Sequence, residues 1–204
     1  MQNEHDPRYE RWAGVAFIAG GLLMIGLWLI YTNVHGPTSY DETQAVLGRS
    51  TLFWGMLLSA PPSLLVALGL ALLYPLLARG ARRMAKIGYI LSLAALIIPA
   101  LIDLIIRALG PPFFVPVLGV GLILLALGSR SNARLLPLSV TLILLIGIFQ
   151  LIAFGLALVP NEVSDPLGGY RIYGIFAHFL SGLGWAALGW YFWQEKAVIP
   201  AAAG

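Results

Sequence analysis

The chain has 204 residues, 59% of them hydrophobic and 10% charged, against roughly 45–50% apolar and about 25% charged residues in an ordinary soluble domain. That balance excludes a soluble globule and points to an all-α membrane protein, one transmembrane domain over 1–204 with the lipid bilayer as its first partner. A net charge of +3 spread over short loops makes no basic face for nucleic acid, and the lack of cysteine rules out disulfides, thiolate metal sites, iron–sulfur clusters and cysteine nucleophiles.

In chain order, the start "MQNEHDPRYER" is mixed in charge and precedes a full-length apolar run, unlike the basic start and short core of a cleaved signal peptide. The first span is therefore expected over 12–31 and expected to be retained. The next connection, "TNVHGPTSYDETQAVLGRS", holds Ser39 and Glu42 at capping-box spacing, which fits either a short surface helix or a plain polar loop. A second span is expected over 51–77, carrying Gly55, Ser59, Pro62 and Ser63 on one face. Pro61 and Pro62 have no N–H to donate, which frees the carbonyls of Leu57 and Leu58; Ser59 and Ser63 are the nearest hydroxyls to such a kink.

The third span is expected over 87–109, where Ser92, Pro99, Asp103 and Arg107 share a face at helical steps. An ionisable group inside a span costs at least a few kcal/mol, so Asp103 is a functional candidate, with a static pair to Arg107 as the competing structural reading. The fourth span, 113–127, is short and opens with "GPPFFVP", so Pro116 gives it either a tilt or a non-helical start. A fifth is expected over 135–159 and carries Gln150. In the loop "PNEVSDPLGGYR" the acids lack the regular ligand spacing of a calcium site. The sixth span, 172–193, aligns Gly174, His178, Ser181, Gly182 and Trp185, a face whose small residues permit close helix approach.

Placing the twelve Lys and Arg residues fixes an expected orientation. Arg8, Arg11, Arg79, Arg82, Arg83, Lys86, Arg130, Arg134 and Lys196 fall on one side, leaving Arg49, Arg107 and Arg171 on the other. By the positive-inside rule both termini are then cytoplasmic, as expected of a six-helix protein of the plasma (cytoplasmic) membrane, whereas five spans would separate the termini. Residues 68–105 also overlay on 118–156 with a small gap, a faint parallel repeat that would set Asp103 opposite Gln150.

Counted from the outer ends of their spans, Asp103 lies about 9 Å deep, His178 about 12 Å and Gln150 about 13 Å. Three polar residues at one depth could converge on an outer-facing polar cavity, with Ser59, Ser63 and Arg107 as further candidates for a ligand or ion pathway. Gln150 is equally read as an interhelical hydrogen bond, and a lone His178 has no second histidine with which to clamp a haem. No HExxH, GxSxG, Walker A or dinucleotide glycine fingerprint occurs, and no metal-spaced cluster. No catalytic residue, metal site or cofactor is thus indicated. Three functions fit: a non-catalytic subunit or partner of other membrane chains or of its own copies, a small carrier or channel-like protein, and an intramembrane enzyme using Asp103 and His178 on a lipid-like substrate.

Overall fold

The computed structural model describes residues 7–32, 45–77, 82–106, 114–130, 132, 135–158 and 172–194. Among the described residues, every element is a helix apart from one hairpin of two-residue strands. α1 spans Pro7–Thr32 and begins five residues before its apolar run, because Pro7 has its φ already set for a first helical position and Glu10 complements the first turn. Residues Ala45–Val46 (β1) and Arg49–Ser50 (β2) pair antiparallel, Ala45 with Ser50 and Val46 with Arg49. Leu47 and Gly48 turn the hairpin at φ 53° and 72°, the positive pair that a two-residue turn of right-handed strands requires. Ser39 and Glu42 lie outside the described residues.

Ser50 then caps α2, Thr51–Leu72, its Oγ accepting from Phe53 N at 3.2 Å. This helix continues through Pro61 and Pro62 but ends at Leu73, so the single expected run over 51–77 is two helices, the second being α3, Tyr74–Leu77. Pro75 is the cause: it cannot donate to Ala71, and its ring clashes with that carbonyl in an unbroken helix. α4, Arg83–Ile106, starts four residues before the expected span. α5, Phe114–Ser129, is helical from the first described residue; Pro116 falls in its first turn, where an N–H has no intrahelical partner to lose, and residues 110–113 of the expected entry lie outside the described residues. α6 runs over Pro137–Ala157 with Pro137 at its first turn. The last span, Ile172–Trp193, departs from expectation: Ile175–Leu180 is a π-helical turn, followed by α7, Ser181–Trp193.

Five of these helices are long and apolar enough to cross a membrane: Arg8–Ile30, Phe53–Leu72, Arg83–Ile105, Pro137–Ala157 and Ile172–Trp193. At 16 residues, α5 is about 24 Å long against a hydrocarbon core of roughly 30 Å.

Each helix packs on its chain neighbours, and the last returns to α1. Contacts give the directions. Gly14 meets Gly189 and Trp193 while Gly21 meets Gly182 and Ala186, so α1 and α7 are antiparallel. Phe17 against Gly69 and Gly26 near Leu58 give the same sense for α1 and α2. Ser59 of α2 with Asp103, and Tyr74 of α3 with Tyr89, do so for the second span and α4. Gly121 at Ser92 with Gly128 at Ala85 fixes α4 and α5, Gly119 at Gly147 joins α5 to α6, and Gln150 at Ser181 with Ile146 at Gly184 antiparallels α6 and α7. The beginning of α1 and the end of α7 therefore share one end of the molecule. Between them sits an aromatic cluster, Phe17 stacked on Trp185 at 5.1 Å and tilted on Phe192 at 6.2 Å.

Candidate functional site

Hydrogen bonds sort the candidate residues into two groups, both in the half of the molecule away from the beginning of α1 and the end of α7. The first joins α2 to α4. Asp103, 4% exposed, accepts at Oδ2 from Ser59 Oγ at 3.3 Å. Ser63 Oγ donates to the Ser59 carbonyl at 3.0 Å, one residue beyond the carbonyls freed by the double proline, so its hydroxyl serves its own helix in a bond of the kind that bends helices. Arg107 lies outside the described residues, and with it the expected Asp103–Arg107 pair.

The second group joins α6 to the π turn. A π turn inserts one extra residue into a helix and loosens the carbonyls around it. Here they are taken up in order. The Ser181 N–H reaches back to Phe176 O, five residues away. Ser181 Oγ donates to that same carbonyl at 2.7 Å, and Gln150 Nε2 donates to Ala177 O at 3.2 Å and to Ser181 Oγ at 2.8 Å. Gln150, 4% exposed, is thus an interhelical clamp, and amide, hydroxyl and carbonyl form a relay in which each bond polarises the next.

His178 stands inside the π turn, half-buried, edge-on to Tyr173 with ring centroids 5.8 Å apart. One turn earlier, a Cβ on Gly174 would sit 2.8 Å from Trp28 Cδ1 and 3.7 Å from His178 Cδ2, so the missing side chain lets α1 close on the histidine. Trp28 with Phe179 at 4.9 Å and Phe149 with Phe176 at 6.2 Å complete an aromatic shell drawn from α1, α6 and the last span.

Of the sequence candidates, Gln150 meets the carbonyl of the residue before His178, whereas Asp103 turns to Ser59 on the preceding helix. No group of three or more His, Cys, Asp or Glu side chains that could hold a metal occurs among the described residues. Sequence reasoning missed the π turn, which has no residue signature of its own. It also missed the buried Ser129 and Ser139 hydroxyls and the Trp185 indole N–H, which have no hydrogen-bond partner among the described residues. No family model, curated protein or solved structure matches the chain.

Proposed function

We propose that this chain crosses the plasma (cytoplasmic) membrane six times with both termini inside, and acts as a non-catalytic subunit or partner of other membrane chains or of its own copies. The observation that carries the role is where the polar side chains spend their hydrogen bonds. Gln150, Ser181 and Ser59 bind helix to helix, and Ser63 and Ser92 bond back to their own helices. What faces outward is apolar, including Leu22, Ile90, Val120 and Leu183, a surface that offers lateral contact and little chemistry. For the orientation, the support is charge: Arg8, Arg11, Arg82, Arg83, Lys86 and Arg130 lie at the end where α1 begins, and Arg49 lies at the other. α5 serves as a short crossing that its antiparallel neighbours α4 and α6 hold in place, at a modest cost in bilayer thinning.

Photoreactive residues at Leu22, Ile90, Val120 and Leu183 test the role in native membranes. A discrete protein adduct from one face, absent from the others, is expected. Lipid adducts alone from all four positions would overturn it. A small carrier is the second reading, favoured by one observation: a buried carboxylate, Asp103, in the same half of the molecule as Gln150 and His178. On that reading Asp103→Asn keeps the fold and abolishes binding of a transported solute; on the first it leaves assembly intact.

A further inference from the structure

The end of the molecule where α1 begins has a corner where three cations run against the dipole of α4. Arg82, Arg83 and Lys86 are all exposed around the first turn of α4, and that turn contains no acidic residue. Arg130, also exposed, directly follows α5. The two helix ends are held together because a Cβ on Gly128 would strike the backbone of Ala85. Four cations from two helices therefore share one corner. A helix N-terminus carries roughly half a positive charge and favours anions, so Arg82, Arg83 and Lys86 repel it and one another, while Arg130, at the carbonyl end of α5, adds to the positive charge of the corner. The N–H groups of residues 83–85 precede the first bond of the helix, Lys86 N to Arg82 O at 3.2 Å, and so are donors that the helix itself does not use.

Two further observations point to an anion. The Ser129 hydroxyl, one residue before Arg130, is 1% exposed and has no hydrogen-bond partner among the described residues, a donor left over beside the cations. On the membrane side of the corner, Ile87 and Ile90 are exposed on α4, and the exposed Tyr74 packs on Tyr89 at 5.4 Å, an aromatic at the level where headgroups meet hydrocarbon. An inorganic anion would satisfy the charges alone, whereas a phospholipid would also cover the apolar surface below them.

We propose that the corner formed by Arg82, Arg83, Lys86 and Arg130 binds the phosphate headgroup of an anionic phospholipid in the adjoining leaflet, its acyl chains lying along the Ile87 and Ile90 face of α4. The test uses the full chain in neutral detergent, titrated separately with phosphatidylglycerol, phosphatidylcholine and inorganic phosphate, and read by thermal unfolding and by lipid adducts in native mass spectrometry. Phosphatidylglycerol should raise the melting temperature and stay bound more than phosphatidylcholine does, with the difference shrinking as salt is raised. Each cation removed should weaken its binding about fivefold. The combined Arg82→Gln, Arg83→Gln, Lys86→Gln and Arg130→Gln variant should lose the preference, while Arg49→Gln, at the opposite end, should keep it. If the fourfold variant does not fold, Lys86→Gln with Arg130→Gln carries the same comparison with about 25-fold weakening. Equal response to the two lipids, a preference that survives removal of the cations, or a shift reproduced by inorganic phosphate alone would each overturn the proposal.

Discussion

Asp103 costs free energy where it stands, and the Ser59 hydroxyl, Oγ at 3.3 Å, is one contribution that offsets this. A hydrogen bond to a charged group contributes about 1.5–3 kcal/mol, and a length of 3.3 Å places this one near the lower bound. Ser59→Ala and Asp103→Asn should therefore each lower stability in detergent, and the double variant should lose less than the sum by about 1 kcal/mol. Strictly additive losses would mean that the two side chains do not interact. Gln150 is the stronger case, because its amide serves both Ala177 O and Ser181 Oγ. Gln150→Leu fills the same volume but strands both acceptors, and should cost about 1–2 kcal/mol. Ser181→Ala, which leaves Phe176 O its backbone bond, should cost less. An unchanged melting curve for Gln150→Leu would remove the clamp from the account.

At the scale of the helices, α1 and α7 meet through glycines in reciprocal pairs: Gly14 against Gly189 and Gly21 against Gly182, each seven residues apart on its own helix. A seven-residue step returns to the same face, so two backbones can run side by side over both contacts. A Cβ on any of the four would come within 3 Å of the opposite backbone, which backbone atoms cannot yield to as a flexible side chain would. Gly182→Leu should therefore destabilise by more than about 3 kcal/mol, the upper range for an overpacked core. Gly155→Leu is the control, since nothing lies within 4 Å of that position, and its melting temperature should hold. Equal behaviour of the two variants would contradict the close approach. Helix existence and the small-residue face of the last span were readable from apolar run length and from Gly182 and Trp185 at helical steps, and Gln150 was readable as an amide that hydrocarbon must see satisfied. The break at Leu73 was readable in principle from Pro75, though an apolar run conceals it. The π turn was not, because its carbonyls are taken up partly by Gln150 from across the interface and partly by Ser181 of the same span, an arrangement with no periodicity of its own. The bond from Ser59 to Asp103 was hidden for a related reason: helical steps relate residues of one helix, such as Asp103 and Arg107, whereas this donor comes from α2.

For the whole molecule, everything about sidedness turns on whether α5 crosses. Its 16 residues span only about 24 Å, yet it lies antiparallel between α4 and α6, with Gly88 and Gly121 in contact on one side and Gly119 and Gly147 on the other. If it crosses, the number of crossings is even, and Arg130 lies on the same side as Met84 and the start of α1. If it does not, Arg130 stays on the side of the hairpin tip at Leu47, and the helices after it invert relative to the membrane. The chain has no cysteine, so single cysteines report sidedness without background. Leu47→Cys, at a position 80% exposed, should react with an impermeant maleimide added to intact cells. Met84→Cys and Arg130→Cys, both at exposed positions, should react only after the membrane is opened, as the distribution of Lys and Arg requires. Reaction of Arg130→Cys from outside would reduce the protein to five crossings and separate its termini. It would also part Arg130 from Arg82, Arg83 and Lys86, so this one position decides at once the sidedness of the chain and whether its basic corner exists in the membrane.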